Sequence, residues 1–196
     1  LATNKVSVEI NRRSNRSNKI NIMDDQLRSK ISDDLAKGDI SEDLFMKLAI
    51  AEGYTCEKSS RYENMHEHWD VMIAKDGVYE SIDVKGIKHD TADGKTWVEL
   101  KNVHGDIGWL YVSELKAIAF ERDNRFDLVM RTDLVTLVEE NVRKSDIDDE
   151  GFTIYYEKAG LGNYRRYCRK NWGRNDITVK VPFADIDKLI YKTFYK

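Results

Sequence analysis

Between Trp69 and Lys101 the chain carries three short runs rich in β-branched and aromatic residues, and this stretch constrains the fold most. The runs are Trp69–Ala74, Val78–Gly86 and Trp97–Asn102, separated by the Lys75-Asp76-Gly77 turn and by a polar turn from Asp90 to Lys95. Strands of this length joined by Asp-Gly turns read as an antiparallel meander. Side chains alternate faces along a strand, so Asp83 and Lys85 point one way while Val84 points into the opposite layer.

The remaining elements place this meander in an α+β domain, with a mostly antiparallel or mixed central sheet flanked by helices. Residues 1–22, rich in Asn, Ser and Arg, read as a basic polar arm with weak alternation at Val6, Val8 and Ile10. Residues 23–196 read as a single domain with its core at 41–131 and an extension at 132–196. Leu27, Ile31 and Leu35 predict a helix beginning at Asp24 or Asp25 and ending at Gly38. Ser41 is the expected N-cap of a second helix, with Glu42 and Asp43 in its first turn and Gly53 in the left-handed position past its end. A strand at Tyr54–Glu57 and a polar loop from Lys58 to His68 lead into the meander. Beyond it, Leu115–Glu121 and Phe126–Arg131 read as a hairpin, followed by a helix capped by Thr132 or Asp133. Strands at Phe152–Glu157 and Ile177–Val181 come next, and then a C-terminal helix through Ile186, Leu189, Ile190 and Phe194.

Charge and composition narrow the classes of function. Of 196 residues, 41% are hydrophobic and 34% charged, which suits a folded domain and argues against wholesale disorder. No apolar run has the length of a bilayer span, and the polar N-terminus lacks a signal-peptide core, so the expectation is a cytoplasmic protein with no membrane partner. Cys56 and Cys168 lie far apart without CxxC spacing, which disfavours a disulfide scaffold or a zinc knuckle. The net charge of −3 does not advertise a nucleic-acid binder, but its distribution is uneven. Arg12, Arg13, Arg16 and Lys19 cluster without acids, as do Arg165, Arg166, Arg169, Lys170 and Arg174, while Asp146, Asp148, Asp149 and Glu150 collect elsewhere. Basic patches of this kind steer polyanions even on an acidic chain.

Asp70, at the head of one strand, and Asp83 and Lys85, on the next, are residue types that phosphodiester hydrolysis needs. Two carboxylates can hold Mg²⁺ or Mn²⁺, which supplies a Lewis acid and a water of lowered pKa, and a neighbouring lysine orients the water or offsets developing charge. Magnesium keeps several of its waters, so few protein ligands suffice, and the Val84 carbonyl is a further candidate.

In these residues the sequence resembles the PD-(D/E)xK nuclease superfamily. Asp70 matches the first acid and Asp83-Val84-Lys85 the D-x-K tripeptide, with Trp69 where the name-giving proline would stand. The order of elements is similar to the archaeal Holliday-junction resolvase branch, in which a first-helix glutamate joins the metal site. The resemblance therefore implies that Glu42 completes it. It covers roughly residues 42–101 and implies a restriction-endonuclease-like core and a Mg²⁺- or Mn²⁺-dependent endonuclease. It also implies a nucleic-acid substrate, DNA in the first place, a 5′-phosphate product and, as in many members, a possible homodimer. Asp-x-Lys on a strand is more often a solvated face with a weak ion pair, and a silent nuclease-like module that binds nucleic acid or protein is the alternative.

Three further groups stand beside this set. Glu99 and Lys101 form a second E-x-K, which reads as a replacement pair, an accessory pair or a plain surface strand. His66, His68 and Asp70 would share a face suited to zinc or manganese if the segment were extended; otherwise the histidines flank a groove. Tyr164–Trp172 interleaves arginines with aromatics, as either a strand clamp or an exposed hairpin. Trp97, Trp109, Tyr111 and Phe120 read as core or groove-wall packing.

Overall fold

A computed structural model describes residues 36–87, 94–112, 114–142, 163–164, 166–168 and 175–196. The chain divides into two units, Leu1–Ile40 and Ser41–Lys196. Described residues of the first are 36–40, helical and continuous in sequence with a helix that runs over 36–51, here α1. The N-terminal arm, the start of the helix expected at Asp24, the acidic run at Asp146–Glu150 and the strand expected at Phe152–Glu157 lie outside the described residues.

In the second unit α1 is followed by β1 (Thr55–Lys58), α2 (Arg61–His66), β2 (Val71–Lys75), β3 (Val78–Lys85) and β4 (Lys95–Lys101). A 3-10 turn (Trp109–Tyr111), β5 (Ala117–Glu121), β6 (Arg125–Met130) and α3 (Arg131–Asn141) come next. The chain closes with β7 (Arg166–Cys168), β8 (Ile177–Pro182), α4 (Phe183–Ile186) and β9 (Ile190–Tyr195). Six strands form a mixed sheet in the order β1-β2-β3-β5-β6-β9, and β4-β8-β7 form a second sheet. Every pairing in the large sheet is antiparallel except β3 with β5. The protein is α+β, with helices flanking a mixed central sheet.

Local chemistry explains the β2–β3 hairpin. Asp76 and Gly77 both take positive φ (53° and 81°), and a two-residue loop of that hand matches the twist of the strands it joins. Residues on one face of the large sheet (Val71, Ile73, Ile82, Val84, Ala117, Ala119, Phe126, Leu128, Phe194) pack with Phe45 and Ala49 of α1. On the other face Ile118, Phe120 and Val129 pack with Trp69, with Val98 and Leu100 of β4, with Val179 and Val181 of β8, and with Leu134 and Val138 of α3. The small sheet is thus a second layer over the face to which Asp83 and Lys85 belong.

Several expectations are corrected. The run Trp97–Asn102 is not the third strand of the meander; as β4 it pairs with β8, and the free edge of β3 is taken by β5. Ala117–Phe120 is buried on both faces, as a central strand must be, whereas β4 keeps Lys95, Glu99 and Lys101 on a wetter side. The C-terminal helix is a single turn, α4, after which Ile190–Tyr195 pairs with β6. Its helical spacing yields to the β-branched and aromatic content of Ile190, Tyr191, Thr193, Phe194 and Tyr195. Ser41 is not an N-cap, and Gly38 does not end a helix, since both lie inside α1. The expected loop at Lys58–His68 contains α2, which opens on a capping box between Ser60 and Glu63. Gly53, at φ 86°, and the β5–β6 hairpin are as read from the sequence. No described helix is long and apolar enough to cross a membrane.

Candidate active site

The regular β2–β3 ladder ends at Val71 opposite Ile82, and Asp70 then straddles Asp83. The Asp70 backbone N–H donates to the Ile82 carbonyl at 2.8 Å, while its carboxylate Oδ2 accepts the Val84 backbone N–H, also at 2.8 Å. Its other oxygen accepts the Asn64 side-chain amide at 2.6 Å. Asn64 lies on α2, so the capping box that starts this helix also sets the orientation of Asp70. Trp69, buried in the core, anchors the residue just before it.

Asp83 is 3% exposed and shares its side of β3 with Lys85. Lys85 Nζ donates to Asp83 Oδ1 at 2.7 Å and lies 2.6 Å from Oδ2, which makes no hydrogen bond of its own. The same ammonium sits over the Trp109 ring, 4.8 Å from its centroid. Trp109 is delivered from the second layer, where Gly108 donates to the Leu100 carbonyl at 3.0 Å.

Electrostatics follow from this packing. Burial, then the charge of Asp83, pushes the Asp70 carboxyl up to about 8, against partial relief from Lys85 and the Val84 amide. Burial by itself would lower the Lys85 ammonium, but the carboxylates of Asp83 and Asp70 outweigh it and hold it above its ordinary value. Glu99 is raised by burial, against the pull of Lys85 and of the Trp109 amide, with Asp176 and Asp83 adding to the rise. His68 is lowered by burial, and it feels both Asp83 and Lys85. These side chains therefore form one coupled group contributed by both layers.

Other residues singled out from the sequence are placed as follows. Glu42 pairs with Lys58 at 3.4 Å, beside Asp43, which pairs with the same lysine at 2.9 Å. Lys58 stands opposite Val71, one position from Asp70. The Val84 side chain is in the α1-facing core, and the contact its backbone makes with Asp70 is through N–H. Lys101 is exposed and separated from Glu99 by a bulge, so the second E-x-K is split, with Glu99 alone coupled to Lys85. The segment from His66 to Asp70 is not extended: His66 ends α2 with its ring 4.5 Å from that of Tyr62, and His68 takes a left-handed φ of 56°. The shared metal face imagined for His66, His68 and Asp70 is therefore not formed. Arg166 lies on β7, while Arg165, Arg169, Lys170 and Arg174 are outside the described residues.

Among the described residues no group of three or more His, Cys, Asp or Glu side chains is arranged to hold a metal ion. The pair Asp70 and Asp83 still fits a hydrated divalent cation. Two carboxyl groups meet there beside one ammonium, and the Asp83 oxygen that makes no hydrogen bond, 2.6 Å from Lys85 Nζ, is a donor atom that a cation would share with that ammonium. Sequence reasoning missed Asn64 and the part played by Trp109. The Ser-x-x-Glu signature at Ser60–Glu63 would have revealed α2 and hence Asn64, whereas nothing local links Trp109 to Lys85. No protein-family model matches this chain, and no curated protein or solved structure is detectably similar to it.

Proposed function

We propose that this chain is a divalent-metal-dependent endonuclease that hydrolyses phosphodiester bonds in DNA. The observation that carries the proposal is the straddling of Asp83 by Asp70 with Lys85 hydrogen-bonded to Asp83. The sequence of elements supports it: α1 bearing Glu42, then β1, β2 headed by Asp70, and β3 bearing Asp83-Val84-Lys85. This is the order on which the resemblance to PD-(D/E)xK nucleases rests.

Asp70 and Asp83 would hold Mg²⁺ or Mn²⁺, with water filling the other positions. The ion, when bound, supplies a Lewis acid for the phosphoryl oxygen and a water of lowered pKa. Asn64 and the Val84 amide keep the Asp70 carboxylate aimed, so little reorganisation is left for the reaction itself. Lys85 offers its ammonium to the attacking water and to the charge that grows on phosphorus. In the net reaction a water oxygen bonds to phosphorus and the bond to the 3′ oxygen breaks. The products are a 5′-phosphate and a 3′-hydroxyl, the latter taking up a proton.

The test is incubation with plasmid, single-stranded and branched DNA in Mn²⁺ or Mg²⁺, alongside Asp83→Ala, Lys85→Ala and a chelator control. Cutting by the wild type, lost in both variants and with chelator, is expected. Full activity in Lys85→Ala would overturn the assignment. Calorimetry with Mn²⁺ gives a second readout, with binding expected in the wild type and lost in Asp70→Asn. The lack of a three-ligand group among the described residues favours one other reading, a silent nucleic-acid- or protein-binding module on the same scaffold. Absence of both metal binding and cutting would select it.

A further inference from the structure

We propose that Trp109 is a positioning residue for Lys85, and that the second sheet serves the site by delivering it. The inference rests on reading Lys85 as the catalytic amine. A lysine on a flexible four-carbon stem loses rotamer freedom when it is held, and a single carboxylate leaves it free to swing about that contact. Here it has two restraints of different chemistry. Asp83 takes a hydrogen bond at 2.7 Å, and the Trp109 face takes the ammonium 4.8 Å from its centroid. An ammonium has three N–H groups, so these restraints leave it able to donate to a water or a phosphoryl oxygen.

Trp109 is itself held rigidly. It is buried, and it opens a 3-10 turn whose preceding residue, Gly108, has no room for a side chain. A Cβ there would come 2.6 Å from the Glu99 carbonyl oxygen and 2.7 Å from the Leu100 carbonyl carbon. The Gly108 N–H donates to the Leu100 carbonyl at 3.0 Å. The backbone that carries the indole is thereby fixed to β4 immediately before Trp109. Lys85 belongs to the large sheet and Trp109 to the layer above it, so the contact transmits the seating of one layer to the amine of the other.

The test uses the full chain with isotope-labelled lysine and the variants Trp109→Phe, Trp109→Leu and Gly108→Ala. The Lys85 ε-methylene resonance, assigned by its loss in Lys85→Arg, is expected to carry an upfield ring-current shift. That shift should survive in part in Trp109→Phe and vanish in Trp109→Leu. In DNA cutting, Trp109→Leu should lower kcat about tenfold with KM unchanged, and Trp109→Phe should fall between it and the wild type. Gly108→Ala, which leaves the ring intact but moves its seat, should behave like Trp109→Leu. An unshifted Lys85 resonance, or wild-type kcat in Trp109→Leu, overturns the positioning role while leaving the nuclease proposal standing. A shifted resonance in a wild type that cuts no nucleic acid overturns the nuclease proposal and the positioning role with it, while the contact remains.

Discussion

Asp70 straddles Asp83, donating its amide to the carbonyl before Asp83 and accepting, on its carboxylate, the amide after it. Two acids are thereby forced together at the end of a hairpin, beneath a second layer of structure. Burial, and then the charge of Asp83, set the acid–base behaviour of Asp70.

The contribution of Asp70 to the stability of the metal-free protein should fall as pH rises across the range from about 4 to 8. Asp70 titrates near its ordinary value, 3.8, in the unfolded chain but only at about 8 when folded. Between those values the folded state retains a proton that the unfolded state has lost, so raising pH favours unfolding, by up to about 1.4 kcal/mol per pH unit. Above the folded value both states are ionised and this contribution levels off. Urea midpoints measured in chelator from pH 5 to 9 should show the decline in the wild type and a flatter curve in Asp70→Asn. Parallel curves would refute the origin assigned here.

Removing the ammonium beside Asp83 should weaken the fold as well as the chemistry. Lys85→Met leaves a buried carboxylate facing Asp70 without its cation, a loss of about 3 kcal/mol at neutral pH. The double variant Asp83→Asn, Lys85→Met removes both charges and should recover part of that loss. A double-mutant cycle by chemical denaturation reads the coupling directly, and additive effects would mean that the pair does not stabilise Asp83.

Gly86, next to Lys85, lies where α1 approaches β3. A Cβ at Gly86 would sit 2.5 Å from Ser41 Oγ and 3.2 Å from Ser41 Cβ. That hydroxyl donates to Glu121 Oε2 at 2.7 Å, and the Ile87 N–H donates to the same oxygen at 3.2 Å. Gly86→Ala should therefore cost about 1–3 kcal/mol by displacing Ser41 from Glu121. Added to Ser41→Ala, the same change should cost less, because the oxygen it strikes is gone. Equal costs in the two backgrounds would place the strain elsewhere.

Phe45 ties α1 to the large sheet, with its ring centroid 5.5 Å from those of both Phe126 and Phe194 in edge-on contact. Phe45→Ala should lower stability by about 3–5 kcal/mol through the cavity and the lost ring contacts, and Phe45→Leu by a smaller amount. Thermal or urea unfolding measures both. A loss below about 1 kcal/mol in the alanine variant would mean that α1 contributes little to the second unit.

What the sequence determined by itself lies within a few residues of each signal. Asp76-Gly77 dictates a tight two-residue loop, and strand alternation then puts Asp83 and Lys85 on one face and Val84 on the other. Gly53 marks the end of α1, and the Leu115–Arg131 hairpin is legible for the same reason, since short loops limit which residues can pair. The Ser60–Glu63 capping box was equally local and equally readable. The tertiary structure alone decided which strand completes β3, because Ala117–Phe120 and Trp97–Lys101 both have the composition of strands. Only the supply of apolar neighbours on both faces selects the former for the centre. The same holds for the C-terminal run, whose spacing suits a helix until the open edge of β6 offers it backbone partners. The meeting of Lys85 with Trp109 depends on how two separate sheets stack. No periodicity or spacing in the chain encodes that contact, because layer stacking is settled by the summed burial of many distant side chains at once.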